Sequence, residues 1–269
     1  MKAMVQDARE MARYYMTCRN YFLELEKKHF DSWFSTYYSI LKSTEDPILD
    51  IGCGVGQAVN RLANEGFQAV GVDVSPIGLL MASRQGKAMF VVATADNLPF
   101  KTGIFATAGF FDFLEHARNP ERCLGEMVRV VKTGGKVVAS APNFLRIIGL
   151  SLEYHWHMRG PKHKILNFLT LVRKFAFSRV LPTKMRFDFM AARLDYKGLG
   201  GDMDAVCVTN PLDIKFRFKQ LGVKILRESA TADTPMGIIR WIGRMPLIRS
   251  ISSFSYILGI KQDGSSSQE

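Results

Sequence analysis

Ile48-Leu49-Asp50-Ile51-Gly52-Cys53-Gly54-Val55-Gly56-Gln57 joins a short, mostly apolar run to three glycines at alternate positions. A helical pattern follows over 58–63. A buried strand that ends in a glycine turn and opens a helix is a common build for a nucleotide-type site. Glycine suits the turn because it accepts φ > 0 and lets a ligand come close to the backbone. The spacing narrows the ligand. A dinucleotide fingerprint, G-x-G-x-x-G/A, needs Gly or Ala at 57, where Gln57 stands. A phosphate loop needs Lys after its last glycine, and none follows Gly56. The pattern that remains is D-x-G-x-G-x-G.

Working outward, Asp46-Pro47 breaks the preceding region and starts a strand over 47–51. Ala69–Asp73 follows as a second strand at βαβ spacing, and Ser75-Pro76 reads as an N-cap and first position of a helix. Met89–Val92 and Ala106–Phe111 are predicted as the third and fourth strands. Asn119–Val131 is an amphipathic helix that Thr133-Gly134-Gly135 should stop, with Lys136–Ala139 as the next strand. Strands and helices in alternation predict a doubly wound, mostly parallel sheet. Upstream, Met11, Tyr14, Tyr15, Cys18, Phe22 and Leu25 recur at helical spacing, so 1–46 is expected to be an N-terminal helical lid that also packs on the sheet.

After 47–143, the expected core, the alternation lapses over 144–208, longer than an ordinary connection, and this segment reads as a substrate-side insertion after the fifth strand. It resumes with a helix from Asn210-Pro211 to Leu221, a strand at Lys224–Arg227, a short amphipathic helix at Ile238–Met245 and a strand at Phe254–Ile260. Residues 209–262 should therefore complete the sheet, and 263–269 form a polar, disordered tail.

The totals bound the possibilities. The chain has 269 residues, 47% of them hydrophobic, which suits one α/β domain with an insertion. Cysteines 18, 53, 123 and 207 form no C-x-x-C pair and fit a reduced, cytoplasmic chain. The first turns carry Asp7, Arg9 and Glu10 in place of a signal-peptide core, and no apolar run is long enough to span a bilayer. The net charge of +11 is concentrated. Phe144–Phe187 holds nine basic residues against one acid, Glu153, whereas 1–46 is balanced. A local anionic partner is expected there.

The carboxylates and turns downstream of the glycines make the pattern specific. Ile48–Gln57, Gly71-Val72-Asp73, Ala95-Asp96-Asn97-Leu98-Pro99-Phe100, Asp112-Phe113-Leu114-Glu115-His116, Glu126–Gly135 and Ala141-Pro142-Asn143 stand in the order of a known family. This order resembles the broad type-11 group of class I S-adenosylmethionine-dependent methyltransferases, which includes quinone-biosynthesis enzymes. The resemblance implies a Rossmann-like seven-stranded sheet and S-adenosyl-L-methionine as cofactor. It implies that Asp50 and the Gly52, Cys53, Gly54 and Gly56 backbone hold the methionine part of the cofactor. Asp73 and Val74 would serve the ribose, Asp96, Asn97 and Leu98 the adenine, and the Phe111 carbonyl the cofactor's amino group. One departure is Phe105-Ala106, where the family often has Phe-Asp. A sulfonium cation calls for acidic lining, which Asp50, Asp73 and Asp96 would supply at three strand ends.

A hydroxyl acceptor also needs a base. His116 reads as mainly structural. The candidates are His155 and His157, at i, i+2 in Tyr154-His155-Trp156-His157, although a surface aromatic cluster would produce the same pattern. No metal site is expected, and Asp202-x-Asp204 reads as a solvated loop. For the basic insertion the expected partners are a small-molecule or lipid- or saccharide-linked acceptor and an anionic membrane surface, which would make the chain cytoplasmic and peripheral at the membrane. Arg240 and Arg244 beside Trp241 add to that pattern. Nucleic acid is disfavoured, since Phe111-Asp112-Phe113 replaces the Pro-Pro-Tyr type turn of many base-amino methyltransferases and no Pro-Cys is present. The expected activity is methyl transfer to oxygen. The alternatives are an RNA or protein methyltransferase and a non-catalytic binder of the same cofactor.

Overall fold

A computed structural model describes residues 10–11, 13–27, 32–42, 45–147, 160–192, 194, 204–229 and 254–263. In chain order these form α1 (Arg19–Lys27), α2 (Ser32–Lys42), β1 (Ile48–Ile51), α3 (Gln57–Asn64), β2 (Ala69–Asp73), α4 (Pro76–Ser83) and β3 (Met89–Val92). There follow β4 (Phe105–Phe111), α5 (Pro120–Val130), β5 (Val131–Pro142), α6 (Gly160–Val180), β6 (Asp188–Phe189), β7 (Cys207–Val208), α7 (Pro211–Gln220), β8 (Val223–Ser229) and β9 (Phe254–Lys261). The expected helix at 238–245 and, beyond its first residue, the expected tail at 263–269 lie outside the described residues.

Seven strands make one sheet in the order β3-β2-β1-β4-β5-β9-β8. The first five run parallel, and β9 lies antiparallel between β5 and β8. Consecutive residues of a strand serve opposite faces. Ile48 and Val138 pack with Tyr37, Leu41, Val59 and Leu62. Leu49 and Val137 pack with Leu124, Met127, Ile214 and Phe218 on the other side. Both faces are covered by helices, so β1 and β4 read as almost continuous apolar runs.

Local chemistry sets the helix starts. Ser75 accepts from the Gly78 amide at 3.1 Å, Asn119 from Arg122 at 3.3 Å and Asn210 from Asp213 at 3.0 Å, each with proline just inside the helix. The stop of α5 differs from expectation. Val131 turns extended (φ −83°, ψ 140°) and already pairs with Phe105, so β5 begins five residues before Lys136. Gly134, at φ 78°, lies within an irregular stretch of the strand instead of ending the helix, and the β4–β5 register slips between Phe105 and Thr107.

The segment expected as an insertion carries its own small core. Phe144, Leu145, Leu171, Met190, Ala205 and Val208 pack together, and β6 pairs antiparallel with β7. Lys174 of α6 is buried, 2.8 Å from Asp213 and 3.0 Å from Asp188, and it also donates to the Arg186 carbonyl. One of the nine basic residues is thus a structural ion-pair member and not part of an exposed charge cluster.

Candidate functional site

Since β1 lies between β2 and β4, the chain reverses its winding direction at β1, and ligands of open α/β sheets bind at such a point. A cavity of about 400 Å³ opens there. Its floor includes Asp50, Gly52, Cys53 and Gly54 after β1, Asp73 and Val74 after β2, Asp96 after β3, and Phe111 and Asp112 after β4. Tyr15, Tyr21, Phe22, Leu25 and Phe34 roof it from the N-terminal helices.

Asp50 is buried and accepts the Tyr37 hydroxyl at 2.6 Å. Burial pushes its pKa up to about 7; the Tyr37 bond works against the shift and the nearby Asp73 carboxylate adds to it. Tyr37 reaches Asp50 past Gly109 of β4, where a Cβ would stand 2.8 Å from the tyrosine oxygen. Asp73 ties two loops together, accepting from the Gly54 amide at 2.9 Å and the Ser75 amide at 2.8 Å. Burial raises its pKa, and those amides oppose the rise. Gly54, at φ 53°, has only Leu25 within reach of a Cβ, at 3.5 Å, so backbone conformation rather than crowding calls for glycine there. Asp112 holds φ 46°, a strained backbone for a non-glycine residue at the cavity wall.

The other expected cofactor residues fall elsewhere. Gly56 does not line the cavity; a Cβ there would meet Ala82 and Phe90 at 2.7 Å, so its role is close packing of the loop on α4 and β3. Asn97 and Leu98 are also absent from the wall. Leu98 points into the core, its amide donating to Glu126 at 2.8 Å and its carbonyl accepting from Arg129 at 3.0 Å. Thr94, Ala95 and Asp96 provide the lining from that turn. His155 and His157 lie outside the described residues.

A group that sequence reasoning did not assemble stands at the rim. The Tyr15 hydroxyl donates to Asp204 at 2.6 Å and lies 3.0 Å from His116 Nδ1. Tyr15 and His116 both line the cavity. Asp204 is buried, which corrects the expectation of a solvated residue there, while Asp202 lies outside the described residues. Burial first and Asp204 second raise the Tyr15 pKa well above its ordinary value, so it remains a phenol and a donor. With its proton on Asp204, Tyr15 can accept from Nδ1–H, the imidazole tautomer that leaves Nε2 as proton acceptor. Among the described residues no cluster of metal-ligating side chains occurs.

The roof is joined to the floor. Phe22 sits against Gly78 of α4, where a Cβ would come within 2.7 Å of its ring. Gln57 donates to the Leu25 carbonyl at 3.0 Å, and Gln85 to Glu26 at 2.8 Å. Gln57, which on spacing only excluded a dinucleotide loop, therefore ties α1 to the glycine turn.

Comparison with known proteins agrees with this geometry. Residues 49–139 match the family model described as methyltransferase domain. Norajmaline N-methyltransferase of Rauvolfia serpentina is 34% identical over 39% of this chain and 39% of its own length. Tocopherol O-methyltransferase of Arabidopsis thaliana is 31% identical over 34% of this chain and 28% of its own. The chain thus spans well under half the length of these two relatives. Among solved structures, a chain of the complex between the Haloferax volcanii Trm112 methyltransferase activator and a putative methyltransferase superposes with a TM-score of 0.57 at 16% identity, covering 90% of this chain and 93% of that one. The [4+2]-cyclase SpnF shares the fold with a TM-score of 0.54 at 15% identity, covering 88% and 85%, so fold alone does not decide chemistry. Residues 49–139 thus match a methyltransferase domain in sequence, and they lie within a Rossmann-like sheet of seven strands.

Proposed function

We propose that the chain is an S-adenosylmethionine-dependent methyltransferase acting on an oxygen nucleophile of a small or lipid-linked acceptor, with His116 taking the acceptor's proton. The observation that carries this reading is the placement of the Tyr15–His116–Asp204 group on the rim of a cavity floored by carboxylates.

The lining suits the cofactor. Asp50, Asp73, Asp96 and Asp112 face a space in which Arg118 is the one arginine or lysine among the described residues, so a cation is favoured over a phosphate. Asp50 and the Gly52–Gly54 backbone would hold the methionine end, Asp73 the ribose, and Asp96 with Ala95 the adenine. When bound, S-adenosylmethionine supplies a methyl group already activated by its positive sulfur. The remaining tasks belong to the chain. The aromatic roof excludes water and seats an apolar acceptor. Asp204, through Tyr15, fixes the His116 ring so that Nε2 can receive a hydroxyl proton.

Two measurements test the reading in sequence. Calorimetry with S-adenosylhomocysteine should show saturable binding that Asp73→Ala weakens strongly; absence of binding rejects the cofactor assignment. Incubation with cofactor and a lipid extract, followed by mass spectrometry, should reveal a species heavier by one methylene. His116→Ala should then slow its formation by about 10²–10⁴-fold while leaving S-adenosylhomocysteine binding intact. Unchanged turnover would favour a nitrogen acceptor, which needs no base. Binding without turnover on any acceptor would leave a non-catalytic binder, and product on RNA or protein would reassign the substrate.

A further inference from the structure

The helix α6 is mounted inside out. Its protein-facing stripe is Asn167, Leu171 and Lys174, two of the three polar. Asn167 donates to the Phe144 and Arg146 carbonyls at 3.2 Å each, and Lys174 is held by Asp213, Asp188 and the Arg186 carbonyl. These bonds fix the rotation of the helix about its axis. The apolar residues are left outward: Ile165, Phe168, Leu169, Val172 and Phe175 recur at threes and fours and are 48–60% exposed. Val180, 75% exposed, extends the same ridge.

We propose that this face of α6 docks on an anionic bilayer surface, with the ridge entering the headgroup boundary and the flanking cations contacting lipid phosphates. Charge favours lipid over a second protein. The helix contains no acid, and Lys162, Lys164 and Arg179 flank the ridge, whereas Arg173 lies 3.5 Å from Asp188. Arg179 stacks on the Phe175 ring with its guanidinium carbon 4.2 Å from the centroid, so a cation is held at the edge of the apolar surface. An apolar stripe bordered by Lys and Arg is the pattern of a helix lying in a membrane interface. Crossing is not at issue, because no described helix is long and apolar enough to span. The stretch around Arg240 and Arg244, expected from sequence to share this role, lies outside the described residues.

Flotation of the full chain with phosphatidylcholine vesicles, with and without phosphatidylglycerol, tests the proposal. Each basic side chain near an anionic surface is worth roughly five-fold in partitioning. Lys162→Glu/Arg179→Glu should therefore lower binding to anionic vesicles by more than about ten-fold. Phe168→Ser/Leu169→Ser should lower it by about ten-fold or more by removing apolar contact. Both pairs are exposed, and an unchanged thermal melt will show that each variant is folded. The chain staying with the supernatant in low salt, or both variants floating as the wild type does, overturns the proposal. So does a dimer in sedimentation equilibrium that Phe168→Ser/Leu169→Ser dissolves, which would assign the face to a second copy. Vesicle binding needs neither cofactor nor turnover, so its failure would leave the methyl-transfer reading standing.

Discussion

Two buried carboxylates, one in each half of the molecule, show how the halves differ. Asp213, under the insertion, has a pKa raised to about 6 by burial, even though Lys174 and Asn210 bond to it and oppose the shift. Asp50, at the end of β1, is raised to about 7, and its bonding partner is a tyrosine hydroxyl with no cation paired to it among the described residues. The insertion therefore carries its own counter-charge, as a structural ion pair does. The strand-end carboxylate is held without one, at a cost to stability, as a site for a cationic ligand would be.

Breaking the insertion's pair should have the largest effect. Lys174→Met leaves Asp213 and Asp188 without their shared cation and should destabilise the fold by about 3–5 kcal/mol, read by denaturant unfolding. The opposite result is expected at Asp50. Because burial raises its pKa from 3.8 to about 7, the folded state binds the extra proton, and stability is greatest below the unfolded value and is lost as pH rises through 7. Asp50→Asn, which mimics the protonated acid, should raise stability at pH 8 by up to about 4 kcal/mol and change little at pH 4. The same variant should weaken S-adenosylmethionine binding. In the native chain that affinity should fall below pH 7, by at most about ten-fold per pH unit, and Asp50→Asn should flatten the profile in calorimetry. The smallest effect concerns the roof. Gln57→Ala removes one bond to α1, worth about 0.5–1.5 kcal/mol, and should speed hydrogen exchange in α1 without changing the sheet.

The fold was legible because its signals are local. Alternating glycines, Ser75-Pro76, Asn119-Pro120 and Asn210-Pro211 each mark a boundary within a few residues. Val131 was misread because a helix passed into a strand without a loop, and Gly134 resembled a stop. The site was only half legible. Strand-end carboxylates are visible in sequence, but Tyr15 lies 101 residues from His116 and 189 from Asp204, and no spacing rule joins them. Gly109 and Gly78 were the available clue, since a glycine inside a strand or helix often marks the close approach of another element, here Tyr37 and Phe22. Basicity in the insertion misled in one respect, because composition does not distinguish a buried lysine from an exposed one.

The position of β9 has a consequence for how the protein is made. Residues 254–261 pair with β5 over seven positions, from Lys136↔Ile260 to Pro142↔Phe254, and with β8 on their other edge. Until that segment leaves the ribosome, β8 has no place in the sheet and β5 presents a long open edge. A nascent chain that has not yet added residues 254–261 thus exposes the β5 edge to pairing with another copy, and a chaperone that shields strand edges would act before that segment emerges.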